Sequence, residues 1–125
     1  MKFAKRVFLI AGLYGLVALT PMYFLETRIA LESPPAITHP EFFYGFIGVG
    51  LAWQIVFLLI AANPLRYRPV MLAGIAEKLG FGVATLALFL QGRLATPTFM
   101  LTSLDWVFAL LFLIAYLKTP AEPSR

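Results

Sequence analysis

Four stretches of about twenty mainly apolar residues, 7–25, 42–62, 70–90 and about 98–117, occupy most of this 125-residue chain. A helix needs about 20 such residues to cross the hydrocarbon core of a bilayer. Within lipid, every backbone N–H and C=O must also be satisfied inside the protein. The expected fold is therefore all-α: an integral membrane four-helix bundle, antiparallel, with short loops, forming a single domain over residues 1–125. Composition agrees, with 61% hydrophobic and only 13% charged residues, where a soluble domain carries about a quarter charged residues. The longest connection is the outer loop, 26–41.

Lys and Arg set the expected orientation. Lys2, Lys5 and Arg6 precede the first run, Arg66 and Arg68 separate the second from the third, and Lys118 and Arg125 follow the fourth. The other two connections hold only Arg28 and Arg93. By the positive-inside rule this asymmetry makes both termini cytoplasmic, in a cell inner (plasma) membrane. The net charge of +4 lies at helix ends and forms no continuous strip. Anionic lipid headgroups are its expected partner, and nucleic acid is not. The basic start and first apolar run resemble a secretory signal, but the run is long enough to span. Pro21 would also follow the best cleavage site, so the segment is expected to be a retained first helix. With no cysteine, disulfides, thiolate catalysis, Cys-bound zinc and iron–sulfur clusters are excluded.

Turn residues punctuate the runs. Thr38 is expected to N-cap the second helix, with Pro40 near its start and Glu41 completing a capping box. Asn63-Pro64 marks the end of that helix, Pro69 suits the first turn of the third, and Thr96-Pro97 starts the fourth. Pro21 is expected to kink the outer end of the first. Residues 26–32 can extend it before Ser33-Pro34-Pro35, and 119–125 reads as a frayed tail. Small residues four apart (Ala11 and Gly15, Gly48 and Ala52, Ala76 and Gly80) are suited to close helix packing or to self-association.

Two adjacent charges interrupt the third run, Glu77 and Lys78. Each would cost about 2.5–3.5 kcal/mol at the centre of a membrane helix on insertion scales. At about 1.5 Å per residue, Gln54 and the Glu77–Lys78 pair lie roughly 12 Å from the inner boundary. Tyr14 falls at a similar depth. Tyr14, Trp53, Gln54, Glu77 and Lys78 are thus candidates for one polar layer, in which Gln54 or Tyr14 would partner Glu77. The alternative is a Lys stem that snorkels to the inner headgroups. Asp105, in the fourth run, is either a second buried acid or part of a shallower helix start, with Arg93 as its natural counter-ion. Trp53 reads as core packing or as a cavity wall. His39 near carboxylates is weak as a metal site without a spaced second ligand, so no metal is assigned. No nucleotide loop, dinucleotide fingerprint, paired-His motif or serine elbow is present, and no cofactor is assigned.

In size and topology, four short-looped helices with an intramembrane carboxylate resemble several small bacterial membrane-protein families, DoxX-like proteins among them. No family motif maps onto these residues, so the resemblance carries over no activity and no site. Three functions fit the residues. The first is a non-catalytic membrane-complex subunit or scaffold, packing on a partner membrane protein or on its own copies. The second is a bundle that binds or transports a lipid-like or quinone-like small molecule in a cavity near Glu77. The third is a membrane enzyme using Glu77 or Asp105 as acid or base.

Overall fold

The computed structural model describes residues 2–121; Arg125, one of the basic residues in the orientation argument, and the rest of 122–125 lie outside them. Helix α1 spans Lys2–Leu19, followed by a 3-10 turn over Thr20–Phe24 and a short α2 at Glu26–Glu32. Two long helices follow, α3 at Pro40–Ala62 and α4 at Arg68–Leu90, then α5 at Thr96–Thr102 and α6 at Leu104–Lys118. Among the described residues there is no strand. Four spans, Lys2–Phe24, Pro40–Ala62, Arg68–Leu90 and Thr96–Lys118, are each 23 residues long and apolar enough to cross a membrane. Only 17–28% of each span is buried within the protein, and large side chains such as Val17, Val49, Val83 and Leu110 stand outside. Apolar surface all around the helices is what a lipid solvent requires. The chain is a small all-helical membrane protein.

The turn residues act mostly as expected. Pro21 sits in the first turn of the 3-10 segment, Asn63 ends α3, and its side-chain carbonyl accepts the Arg66 N–H at 3.2 Å. The capping box at Thr38 does not form. His39 is the N-cap residue of α3 without a side-chain cap bond, and its ring faces Glu41 at 3.3 Å instead. In α2, the Arg28 Nε–H donates to Glu32 one turn on, at 2.9 Å. That bond and the carboxylate charge raise the proton affinity of Arg28 above the usual guanidinium level.

Two boundaries differ from the expectation. The first helix begins at Lys2 rather than near residue 7, because Phe3 and Ala4 pack inward: Ala4 is fully buried and Phe3 lies 4.7 Å beneath the Lys118 ammonium. The fourth span is not one helix but two, joined at Ser103. There the Thr102 hydroxyl donates to the Phe99 carbonyl at 3.0 Å and the Ser103 hydroxyl to the Met100 carbonyl at 2.6 Å. Hydroxyls bonded back to the preceding turn bend a helix.

Around the bundle, α1 packs along α3 and α6, and α4 packs along α6. The consecutive helices α3 and α4 meet over a much shorter stretch, which leaves space between them. Toward the α1 N-terminus the core is aromatic. Phe8 stacks on Phe112 at 4.2 Å, and Phe57 meets Phe112 edge-on at 4.9 Å. Gly74 of α4 closes this cluster, since a Cβ there would stand 3.2 Å from the Phe57 ring.

Of the small-residue pairs, only Ala11 and Gly15 form a buried seam. Ala76, Gly80 and Ala52 are exposed, and a Cβ at Gly80 would meet nothing within 4 Å. Nor does the tail fray at its start. Thr119 is buried, and the Arg68 Nε–H is shared between its carbonyl at 2.6 Å and that of Tyr116 at 3.2 Å. The guanidinium lies 3.8 Å over the Tyr116 ring. Arg68→Ala is expected to lower stability by about 1–3 kcal/mol and to accelerate amide hydrogen exchange at the end of α6. Unchanged exchange there would refute this anchoring.

Candidate functional site

One turn beyond Gly74, Lys78 points into the bundle and is 93% buried, with a relative exposure of 7%. It does not snorkel to a surface. Its ammonium lies 3.7 Å from Glu77 Oε2 and 3.9 Å from Asp105 Oδ1, and over the Phe57 and Phe108 rings at 5.2 and 5.4 Å. Charge-assisted hydrogen bonds are shorter, about 2.7–2.9 Å. The cluster is thus held by Coulomb attraction and by the electron-rich ring faces, without a direct hydrogen bond.

The counter-ions differ from the expectation. Glu77 is partnered neither by Gln54 nor by Tyr14, and Asp105 is not partnered by Arg93. Arg93 lies in the exposed connection after α4, where its guanidinium donates to Gln91 at 3.2 Å. Asp105 lies in the first turn of α6, so the break at Ser103 decides where it emerges: deep in the fourth span, beside Lys78. Of its two readings, Asp105 is the largely buried acid, with Lys78 rather than Arg93 as its counter-ion.

Gln54 is 2% exposed. Its amide N–H donates to the Gly50 carbonyl in the preceding turn at 2.8 Å. Its Oε1 is aimed toward Gly15 of α1, where a Cβ would overlap the amide. Among the described residues, two buried side-chain atoms have no hydrogen-bond partner, Gln54 Oε1 and Glu77 Oε2. Leaving a buried acceptor unsatisfied costs about 1–3 kcal/mol, and native proteins contain few such groups.

Both residues line the same intrabundle cavity of about 300 Å³, together with Tyr14, Lys78 and Asp105. Contributions come from all four spans: Tyr14 from α1, Gln54 from α3, Glu77 and Lys78 from α4, and Asp105 from α6. Tyr14 sits at the rim, 40% exposed, with its ring 5.8 Å from Phe108. The remaining wall is largely apolar and includes Leu19, Met22 and Phe81. Trp53 is not part of this cavity. It packs on Phe57 at 6.1 Å and faces a second, more open groove of about 420 Å³ along α3, which also reaches Glu77. Phe46 borders both spaces, and its ring stacks on Phe81 of α4 at 5.4 Å.

Several contributors carry no polar signal in the sequence. Phe46, Phe81 and Met22 read there as ordinary apolar residues, and only the separation of α3 from α4 turns them into cavity walls. Outside the cavity, the bond from the Trp106 indole N–H to the Gly82 carbonyl at 3.2 Å is hidden in the same way, since a glycine carbonyl leaves no mark in residue type. Set against known protein-family models, characterised proteins and solved structures, the chain matches none.

Proposed function

We propose that this membrane protein is a ligand-binding bundle that takes an apolar small molecule with a hydrogen-bonding head into the cavity beside Glu77. One observation carries the reading: Gln54 and Glu77, from different helices, line one cavity, and each has a buried side-chain oxygen without a hydrogen-bond partner. Its volume of about 300 Å³ lies at the lower end of small-molecule sites, about 300–1,000 Å³. It is roughly twice the 150 Å³ that accommodates a benzene ring. Apolar walls with a few convergent polar groups are the usual build of such sites. A scaffold needs no such cavity, which is why binding is preferred to the subunit reading. An acid–base enzyme would use the same carboxylates, but nothing in the geometry distinguishes a reacting atom.

In this reading the chain is one antiparallel bundle in the inner (plasma) membrane with both termini cytoplasmic. Support comes from the basic residues Lys2, Lys5, Arg6, Arg66 and Arg68 at one set of helix ends. Lys118 over Phe3 and Arg68 against Thr119 tie three of those ends together.

Native mass spectrometry of the protein released from lipid nanodiscs is expected to show a retained small molecule in the wild type. Glu77→Ala is expected to lose it while remaining folded. Wild-type protein that carries none, and remains bound instead to copies of itself or to a partner, would return the function to a subunit or scaffold.

A further inference from the structure

The cavity's formal charges do not balance. The titratable groups that face it are Tyr14 of α1, Glu77 and Lys78 of α4 and Asp105 of α6, while α3 contributes only the neutral Gln54. Two carboxylates therefore share one ammonium, and Lys78 is already placed between them at 3.7 and 3.9 Å. The unpartnered atoms, Gln54 Oε1 and Glu77 Oε2, are both acceptors. One amide N–H of Gln54 and the hydroxyl of Thr102 are engaged by the Gly50 and Phe99 carbonyls. What the site lacks, by formal charge, is a second positive group to face its second carboxylate.

Resting on the ligand-binding reading, we infer that the ligand is an amphiphilic amine whose protonated head sits between Glu77, Asp105 and Gln54. An ammonium supplies that charge together with N–H groups for the oxygens around it. An anionic head would add a third negative charge beside two carboxylates whose only counter-ion is committed. The tail has a path. The open groove of about 420 Å³ along α3 ends at Glu77 and shares Phe46 and Gly50 with the cavity. Its walls between Glu41 and Glu77 are apolar, Phe42, Val49 and Trp53 among them. A chain lying in that groove keeps its head at the acids and its apolar part against lipid and aromatic rings.

Three probes with one tail and different heads test this: dodecylamine, dodecanol and dodecanoic acid. Each is titrated separately at neutral pH into the full protein in phosphatidylcholine nanodiscs, by calorimetry against empty discs. A charge-assisted bond is about twice as strong as a neutral one, so the amine is expected to bind on the order of tenfold more tightly than the alcohol. The carboxylate is expected to bind weakest. Glu77→Gln, and separately Asp105→Asn, is expected to reduce the amine's preference while the alcohol's affinity stays within a factor of about three; the retained alcohol binding reports that the variant is folded. Equal binding of amine and alcohol, tightest binding of the carboxylate, or a preference that survives both substitutions would overturn the inference and leave the ligand-binding reading intact. If none of the three binds, both readings fall together.

Discussion

Lys78→Met is expected to be among the most destabilising single substitutions in this protein, at about 3–5 kcal/mol, the range found when one partner of a buried ion pair is removed. Met preserves the length and bulk of the Lys stem, so little of the loss would come from a void. What changes is that Glu77 and Asp105, each within 4 Å of the ammonium, lose their shared counter-ion in a low-dielectric site. The same reasoning predicts recovery. Replacing a whole buried ionic cluster by neutral groups of similar shape is close to neutral. The triple variant Glu77→Gln, Lys78→Met, Asp105→Asn should therefore be more stable than Lys78→Met alone. Thermal unfolding in nanodiscs reads both effects. A single variant as stable as the wild type, or a triple variant no better than the single one, would show that this cluster does not hold the spans together.

The substitution also marks how far the sequence carried. Four apolar runs predicted four spans, because length and hydropathy are local properties that a bilayer converts directly into helices. Tyr14, Gln54, Glu77 and Lys78 could be assigned to one level by counting residues, since the rise of a helix is fixed. The direction in which Lys78 points could not be counted. It depends on which helices lie beside α4, and the chain order suggests α3, whereas α4 packs along α6. That arrangement brings Asp105 to Lys78 and leaves Arg93 outside. The break at Ser103 was concealed for a related reason: Thr102 and Ser103 are tolerated in a continuous helix, and only their bonds to the Phe99 and Met100 carbonyls reveal the bend. Residue types recorded the polar layer. Its pairing, and the cavity it borders, came from tertiary contacts that no local pattern encodes.

Gly15→Leu is expected to be nearly as damaging, at about 2–4 kcal/mol, for a steric reason. At Gly15 even a Cβ would overlap the Gln54 side chain, and one turn earlier a Cβ at Gly12 would stand 3.0 Å from the Gln54 backbone carbonyl. Helices α1 and α3 are thus in backbone-to-side-chain contact along this seam and cannot separate locally. Relief would require Gln54 to rotate, giving up its 2.8 Å bond to the Gly50 carbonyl. Overpacking costs about 1–3 kcal/mol, and the lost hydrogen bond adds about 0.5–1.5 kcal/mol. Gly80→Leu is the matched control: it has the same change of residue type in a long helix, with nothing within 4 Å of the new Cβ. It should fall within about 0.5 kcal/mol of the wild type or gain slightly from better helix propensity. The two variants should separate in function as well. A leucine at position 15 pushes the Gln54 amide into the cavity and should reduce ligand retention, whereas one at position 80 faces lipid and should leave it unchanged. Equal stability and equal retention in the two would mean that spans one and two do not pack through the Gly12–Gly15 seam, and the placement of Gln54 at the cavity would fall with it.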